Sequence, residues 1–417
     1  MFGDPVLDSV IQEAVHHNYF IRDLRNLIYE NELDPLMPHG PLWPLQVALP
    51  GAIQHNSTAA PPALGGPGYG LVYTQADFGL SATYTVDVWG QIDMQRRVSQ
   101  DLVDQQRQNT EIFAQILAEQ VAQAWFEILE QRGLHKLLEA QVRYNEELLT
   151  IVKARFEQHL TPRLVVLQQE QLLLATQAQV PLVLAQLALL NSKLTGILGR
   201  TPSPNALVVP SDRVLPDLPP APDVGVPADL ARSSAELRLA QAKVAEGEHL
   251  VSQNLASWLP TIDVLGNAGV RSYEFSQQFF TSGVGVRLTW PIFDGGQRIR
   301  KAQQLELTVQ RRNWQYQLAF NSAVQRVQDA LIQERRQSDN LRTLRVQVDL
   351  GRRVLQEARQ LFEQGVSDYL PVLTALASLS TLERAALQAH RLLLAYRVQL
   401  YHALGGTWSR EATKLTE

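Results

Sequence analysis

Between Phe78 and Val88 apolar and polar residues alternate with a period of two. Phe78, Leu80, Ala82, Tyr84, Val86 and Val88 stand against Gly79, Ser81, Thr83, Thr85 and Asp87. Successive side chains of a strand point to opposite faces, so the pattern predicts a strand with one apolar and one polar side. Val284, Val286, Leu288, Trp290 and Ile292 repeat it against Gly283, Gly285, Arg287 and Thr289, and Ile262 to Val270 gives a weaker partner. These segments are near the roughly 9–11 residues that a tilted strand needs to cross a bilayer. The stretches Pro50–Gly68 and Arg271–Thr281 are then expected as exposed hairpin loops, the first rich in Pro and Gly. On alternation alone, a half-buried strand in a soluble sandwich stays equally open.

From Gly90 to about Gln158 the period changes. No proline interrupts this stretch, and Val98, Leu102, Ile112, Phe113, Ile116, Leu117, Trp125, Ile128 and Leu129 follow three-four spacing on to Leu148, Val152 and Phe156. That spacing predicts an amphipathic helix, and at about 1.5 Å per residue it approaches roughly 100 Å. After a turn at His159-Leu160-Thr161-Pro162 a second helix returns over Leu164–Leu198, and Pro181 should kink it or divide it in two. The second half of the chain turns likewise at Gly365-Val366-Ser367-Asp368, with Pro371 tolerated in a first turn. Two antiparallel helical hairpins per chain result, with both tips on the side away from the strands.

The halves are copies. Phe362-Glu363-Gln364 lies 206 residues after Phe156-Glu157-Gln158, and the same displacement relates Gly296-Gln297 to Gly90-Gln91 and Leu404-Gly405 to Leu198-Gly199. An internal repeat of this length sets the organisation of the chain before any single element does. Residues 1–201 are expected to form a first repeat of helix, two strands and a long hairpin. Residues 228–408 form the second, with a tail at 409–417. Between them, 202–227 carries Pro204, Pro210, Pro216, Pro219, Pro220 and Pro222 and cannot be helical.

Four strands cannot close a barrel, and an open sheet edge is forbidden in hydrocarbon. A membrane reading therefore requires several chains to share one barrel, and three chains supply twelve strands. No unbroken run of about eighteen apolar residues occurs, which argues against an ordinary transmembrane helix.

Composition narrows the chemistry. The net charge of -5 gives no reason to expect nucleic acid, and zero cysteines leave neither a disulfide nor a thiolate site. His16-His17, His39, His55, Asp77 and Asp87 match no metal or triad spacing, so neither an enzyme nor a cofactor or metal site is indicated. No basic region followed by an apolar core opens the chain, so an exported protein would be shown here in processed or truncated form. A soluble coiled-coil scaffold is the remaining alternative. The alternating segments that feed directly into the helices demote it.

Leu288-Thr289-Trp290-Pro291-Ile292-Phe293-Asp294-Gly295-Gly296-Gln297-Arg298 resembles the strand-to-helix junction of the outer-membrane factors, the TolC/OprM-like channels of tripartite efflux and type I secretion. Tyr84 to Ile92, with Trp89 and Gly90, is similar to that family's other junction, and Ala403-Leu404-Gly405-Gly406-Thr407-Trp408 to its closing motif. The resemblance implies a mainly α fold with a small β part: a homotrimer with a twelve-stranded barrel in outer-membrane lipid and a helical tunnel in the periplasm. It implies docking onto a periplasmic adaptor (membrane-fusion) protein and, indirectly, an inner-membrane transporter, with no chemical change to the cargo. Small-molecule efflux is preferred over protein secretion, because the junctions look closer to OprM-like members.

By the same resemblance, His159, Leu160, Thr161, Gly365, Val366, Ser367 and Asp368 are the expected adaptor-docking tips, and Trp89, Gly90, Pro291, Gly295 and Gly296 the junctions. Relatives close the tunnel near the tips, some through a Tyr/Arg/Asp lock. The matching positions here hold Leu164, Val165, Phe362, Ser367, Pro371 and Thr374, so that lock is missing. Arg163, Val165, Asp368 and Leu370 remain as candidate gate residues, with Leu160 available to an apolar constriction. The family's lipid-bearing cysteine has no counterpart before Asp4.

Overall fold

The computed structural model describes residues 2–33, 43–59, 70–202, 208–222 and 227–406. His39, much of the Pro50–Gly68 stretch, Pro204 and Thr407-Trp408 lie outside the described residues. The chain divides into two compact units, each assembled from segments far apart in the sequence.

One unit, residues 28–106 and 240–316, carries the sheet. Its strands are β1 (Gln46–Ala48), β2 (Gly51–Ala59), β3 (Gly70–Val86), β4 (Thr261–Tyr273) and β5 (Gln277–Thr289). All pairings are antiparallel: β3 pairs β4, β4 pairs β5, and β1 and β2 lie one after the other along the free side of β3. Five strands thus occupy four tracks, because Leu49-Pro50 interrupts the first. Proline has no N–H to give to a ladder, and the Pro50 carbonyl instead accepts from Gly79 N at 3.1 Å.

Three expectations change here. Gly51–Ala59 is strand rather than loop. The β4–β5 connection shrinks from Arg271–Thr281 to a tight turn at Glu274-Phe275-Ser276, with positive φ at Glu274 and Phe275. The strands end at Val86 and Thr289, short of Val88 and Ile292. Polar and small residues such as Gln54, His55 and Asn56 concealed the first strand, since cross-strand pairing supplies what local propensity does not.

The other unit, residues 1–27, 107–239 and 317–417, is helical. Asp4 accepts from Val6 N at 3.0 Å and opens α1 (Pro5–His17), followed by α2 (Tyr19–Glu32). The long helices α3 (Gln91–Glu157) and α8 (Gln297–Glu363) have 67 residues each and belong partly to each unit. The return of the first hairpin is split into α4 (Arg163–Gln177) and α5 (Val180–Ile197), with Pro181 in the first turn of α5. In the second hairpin α9 (Leu370–Ala403) returns unbroken. After the linker come α6 (Pro227–Ser233) and α7 (Ala235–Ala256).

Two large cores, with two smaller clusters beside them, lie in this unit. In one, Leu7, Ile11 and Val15 of α1 pack with Trp125, Phe126 and Ile128 of α3, Leu194 of α5 and Leu394 and Val398 of α9. In the other, Leu148 and Val152 of α3 meet Val166 of α4, Leu355 and Phe362 of α8, and Tyr369, Val372 and Leu376 around the start of α9.

The stretches Arg163–Ile197 and Leu370–Ala403 are, by length and composition alone, apolar enough to cross a membrane, although neither contains an unbroken run of eighteen apolar residues. Scattered Gln, Thr and Ser interrupt a run but barely lower an average. The first stretch leaves Leu164, Leu167, Leu174, Leu182, Leu184 and Leu189 exposed.

Candidate functional site

The cross-strand register sorts the sheet into two faces. Phe78, Leu80, Tyr84 and Val86 of β3 stand opposite Val270, Ala268, Val264 and Ile262 of β4, which stand opposite Phe280, Ser282, Val286 and Leu288 of β5. That face is almost wholly apolar, and Phe78, Phe280, Val284, Val286 and Leu288 are exposed. The opposite face carries Asp77 paired to Arg271 at 2.7 Å, Thr85 donating to Asp263 at 2.8 Å, and Arg287 in register with Asp263. An apolar face left open on one side and a charged, hydrogen-bonded face on the other is the pattern of a sheet with lipid outside and water inside.

Both strand-to-helix junctions have one construction. Asp87 accepts from Ile92 N at 3.1 Å and Asp93 N at 2.9 Å, and Gly90 takes φ 70° just before α3. Asp294 accepts from Gly296 N at 3.0 Å and Arg298 N at 3.2 Å, with Gly295 and Gly296 at φ 65° and 78° before α8. Each carboxylate satisfies N–H groups left over at a helix start, and each glycine takes a conformation that a Cβ disfavours. Burial raises the Asp294 carboxyl, but the two backbone N–H groups and the Arg298 guanidinium outweigh it and hold it below the usual carboxylate range. Trp89 Nε1 donates to the Pro260 carbonyl at 2.8 Å and Trp290 Nε1 to the Trp258 carbonyl at 3.2 Å, tying both junctions to the chain entering β4. Pro291 accepts from Arg298 Nη2 at 2.9 Å.

The two hairpin turns lie together. Arg155, in the last turn of α3, donates to the Glu363 carbonyl at 2.9 Å and sits 4.8 Å over the Phe362 ring. His159 and Gly365 occupy equivalent left-handed positions, φ 61° and 77°. Leu160 and Val366 are exposed, Asp368 is exposed, and the Thr161 hydroxyl is buried without a partner. Ser367 Oγ donates to the Asp368 carbonyl at 3.3 Å. Of the expected gate residues, Arg163, Asp368 and Leu370 are exposed with no ion pair between Arg163 and Asp368, while Val165 packs on the tip core.

A polar chain beneath the tips was not legible from spacing. The Tyr369 hydroxyl donates to Gln169 Oε1, Gln169 Nε2 donates to the Asn145 carbonyl and Oδ1 at 2.9 and 3.1 Å, and Asn145 Nδ2 donates to Thr176 Oγ1 at 3.3 Å. Burial, with a smaller contribution from Tyr144, pushes the Tyr369 hydroxyl above its ordinary range and keeps it a donor. The only sequence signal was polar residues on otherwise apolar helix faces.

The sequence model of the family described as "Outer membrane efflux protein" matches residues 53–200 and 226–406. The chain belongs to the outer membrane efflux protein family. Among its relatives is the toluene efflux pump outer membrane protein TtgF of Pseudomonas putida, 26% identical over 98% of this chain and 84% of the relative. The pyoverdine export outer membrane protein OpmQ of Pseudomonas putida is 25% identical over 99% of this chain and 88% of its own length. Among solved structures, the outer-membrane channel OprN has a TM-score of 0.86 at 21% identity, covering 98% of this chain and 92% of that one. The Campylobacter jejuni CmeC outer membrane channel has a TM-score of 0.81 at 15% identity, covering 100% and 90%. Family and fold together place this efflux protein in the bacterial outer membrane, extending into the periplasm.

Proposed function

We propose that the chain is one protomer of a homotrimeric exit duct of a tripartite efflux pump. Three copies of the four-track sheet close a twelve-stranded barrel, and the helical hairpins form a periplasmic tunnel. The carrying observation is the sheet: an exposed apolar face, a charged opposite face, and two edges, β1/β2 and β5, without a partner strand among the described residues. Hydrocarbon tolerates no unpaired backbone edge, so each edge needs the complementary edge of another copy. The exposed leucines of α4 and α5 give a neighbouring copy apolar surface to cover.

The chain is a tandem duplication, with repeats at 1–201 and 228–408. The family's match in two stretches, and long helices of equal length whose first residues, Gln91 and Gln297, stand 206 residues apart, support this. Its tips, His159-Leu160-Thr161 and Gly365-Val366-Ser367-Asp368, dock a periplasmic adaptor protein that links the duct to an inner-membrane transporter. Arg163, Asp368 and Leu370 narrow the tunnel mouth, a role supported by their exposure beside the tips. Substrate passes through unchanged.

Imaging of detergent-purified particles tests the assembly, and planar-bilayer conductance tests the pore. Three-fold particles that conduct are expected; globular monomers without channel activity overturn the reading. Val366→Asp should abolish efflux in cells while leaving conductance intact, and equal loss of both would remove the docking role from the tips.

A further inference from the structure

At the β5–α8 junction a cleft of about 350 Å³ is lined by Trp258, Trp290, Pro291, Ile292 and Ile299 and by the Asp294–Arg298 pair. Its volume falls in the roughly 300–1,000 Å³ range of small-ligand sites. The walls are apolar and open: Trp290 is 60% exposed, Ile292 88%, and Phe293 beside it 91%. Solvated surface of this kind on a folded chain calls for an occupant.

Continuity says what the occupant is. Trp290 and Ile292 extend the alternation of Val284, Val286 and Leu288, the apolar face of β5. Trp258 lies in the turn that leads from α7 into β4, whose Ile262 and Val264 belong to the same apolar face of the sheet. The cleft therefore begins where the apolar band ends, on the side where the strands pass into helices. Tryptophan is favoured at that depth, where its ring meets acyl chains and its N–H meets polar groups. Trp290 Nε1 is already engaged with the Trp258 carbonyl, while Trp258 Nε1 is buried without a hydrogen-bond partner. One and two residues past Ile299 in α8, Arg300 and Lys301 are exposed; Arg300 Nη2 donates to the Gly295 carbonyl at 3.1 Å and Lys301 Nζ to Gln304 Oε1 at 3.3 Å, and neither has an acidic partner among the described residues. Basic groups next to an apolar slot at a membrane boundary suit a lipid phosphate.

We propose that this cleft is a phospholipid site, one per protomer. An acyl chain lies between Trp258 and Trp290, and the phosphate of a periplasm-facing leaflet lipid rests beside Arg300 and Lys301. The inference rests on the membrane reading of the apolar sheet face. It adds a fixed lipid at the joint between strand and helix, distinct from the mobile lipid around the barrel.

Native mass spectrometry of the purified assembly, titrated with phosphatidylglycerol after removal of bulk lipid, tests it. The unaltered protein should retain up to one lipid per protomer. Ile299→Asn, at a position 55% exposed and so tolerant of replacement, should weaken retention about tenfold, equivalent to ~1.4 kcal/mol. The pair Arg300→Gln and Lys301→Gln should remove the preference for phosphatidylglycerol over phosphatidylcholine. Ile53→Asn, on the same apolar face of β2 but far along the strands, is the control and should change neither. Equal retention by Ile299→Asn and Ile53→Asn, or none by the unaltered protein, overturns the site. Conductance of the same samples separates the two readings: conducting channels without a specific lipid reject the cleft alone, and absence of channels rejects the membrane reading beneath it.

Discussion

The Tyr369 hydroxyl, at the start of α9, donates to the side-chain carbonyl of Gln169 in α4, 200 residues away, and so joins the two hairpins of one chain just beneath their tips. Both side chains are buried, and Gln169 passes the connection to Asn145 in α3. Phe362, T-shaped against the Tyr369 ring at 5.1 Å, covers it.

Tyr369→Phe keeps this ring packing but leaves Gln169 Oε1 buried without its donor. A group stranded in that way costs about 1–3 kcal/mol. The variant should unfold at lower temperature and, in planar bilayers, open more readily, because the hairpins are no longer pinned together. Unchanged melting and unchanged opening would show that the hydroxyl holds nothing.

Arg397, 1% exposed in its side chain, forms a two-pronged pair with Glu334 at 2.6 and 2.8 Å and donates to the Pro219 and Pro220 carbonyls at 2.7 Å each. Arg132 does the same for the Val209 and Pro210 carbonyls at 2.7 and 2.5 Å. The proline-rich linker is thus strapped to α3 by the half-buried Arg132 and to α9 by the buried Arg397, which Glu334 of α8 holds in place. Glu334→Ala leaves Arg397 uncompensated and should cost about 3–5 kcal/mol. Limited proteolysis should then cut first between Pro210 and Pro222, a site protected in the unaltered protein.

His390 Nε2–H donates to the Pro216 carbonyl at 3.0 Å, and burial, with the nearby Arg345 charge, lowers its pKa below the ordinary imidazole value despite the opposing pull of that carbonyl and Asp217. Because the folded-state value is the lower one, the unfolded chain takes up the proton first. Stability contributed by neutral His390 is present above the unfolded value near 6.5 and is lost as pH falls through the folded one. His16 shifts the same way through burial and adds to this loss, whereas Glu130, raised mainly by burial, favours the fold on acidification through the carboxylate range. Melting temperatures between neutral pH and pH about 5 should therefore fall less in His390→Gln than in the unaltered protein. Identical slopes would exclude His390 as a source.

Gly79 and Gly269 face each other across β3 and β4. A Cβ on Gly79 would stand 2.7 Å from the Ala268 carbonyl oxygen, and one on Gly269 would stand 2.6 Å from that of Phe78. Backbone cannot yield as a side chain does, so Gly79→Ala or Gly269→Ala should cost about 1–3 kcal/mol and loosen the sheet. Reduced resistance of the assembly to dissociation in mild detergent on heating is the expected readout; Gly266→Ala, with nothing within 4 Å of its Cβ, should behave as the unaltered protein.

The long helices, the hairpin turns, the division of the first return helix at Pro181 and the apolar-versus-polar alternation of Phe78–Val86 and Val284–Leu288 were all legible in the sequence. Each is a local pattern: three-four spacing, proline and glycine placement, period two. The 206-residue displacement and the Phe-Asp-Gly-Gly junction carried the family. Tertiary structure alone decided the rest. Gly51–Ala59 became a strand because β3 offers it a ladder, not because Gln54, His55 and Asn56 favour one. Gln169, Tyr369, Arg397 and Glu334 became buried partners because folding brings together helices far apart in sequence. A pattern along one element tells which side will be covered, but a hydrogen bond between residues 200 positions apart depends on angles and distances that only the packed chain fixes.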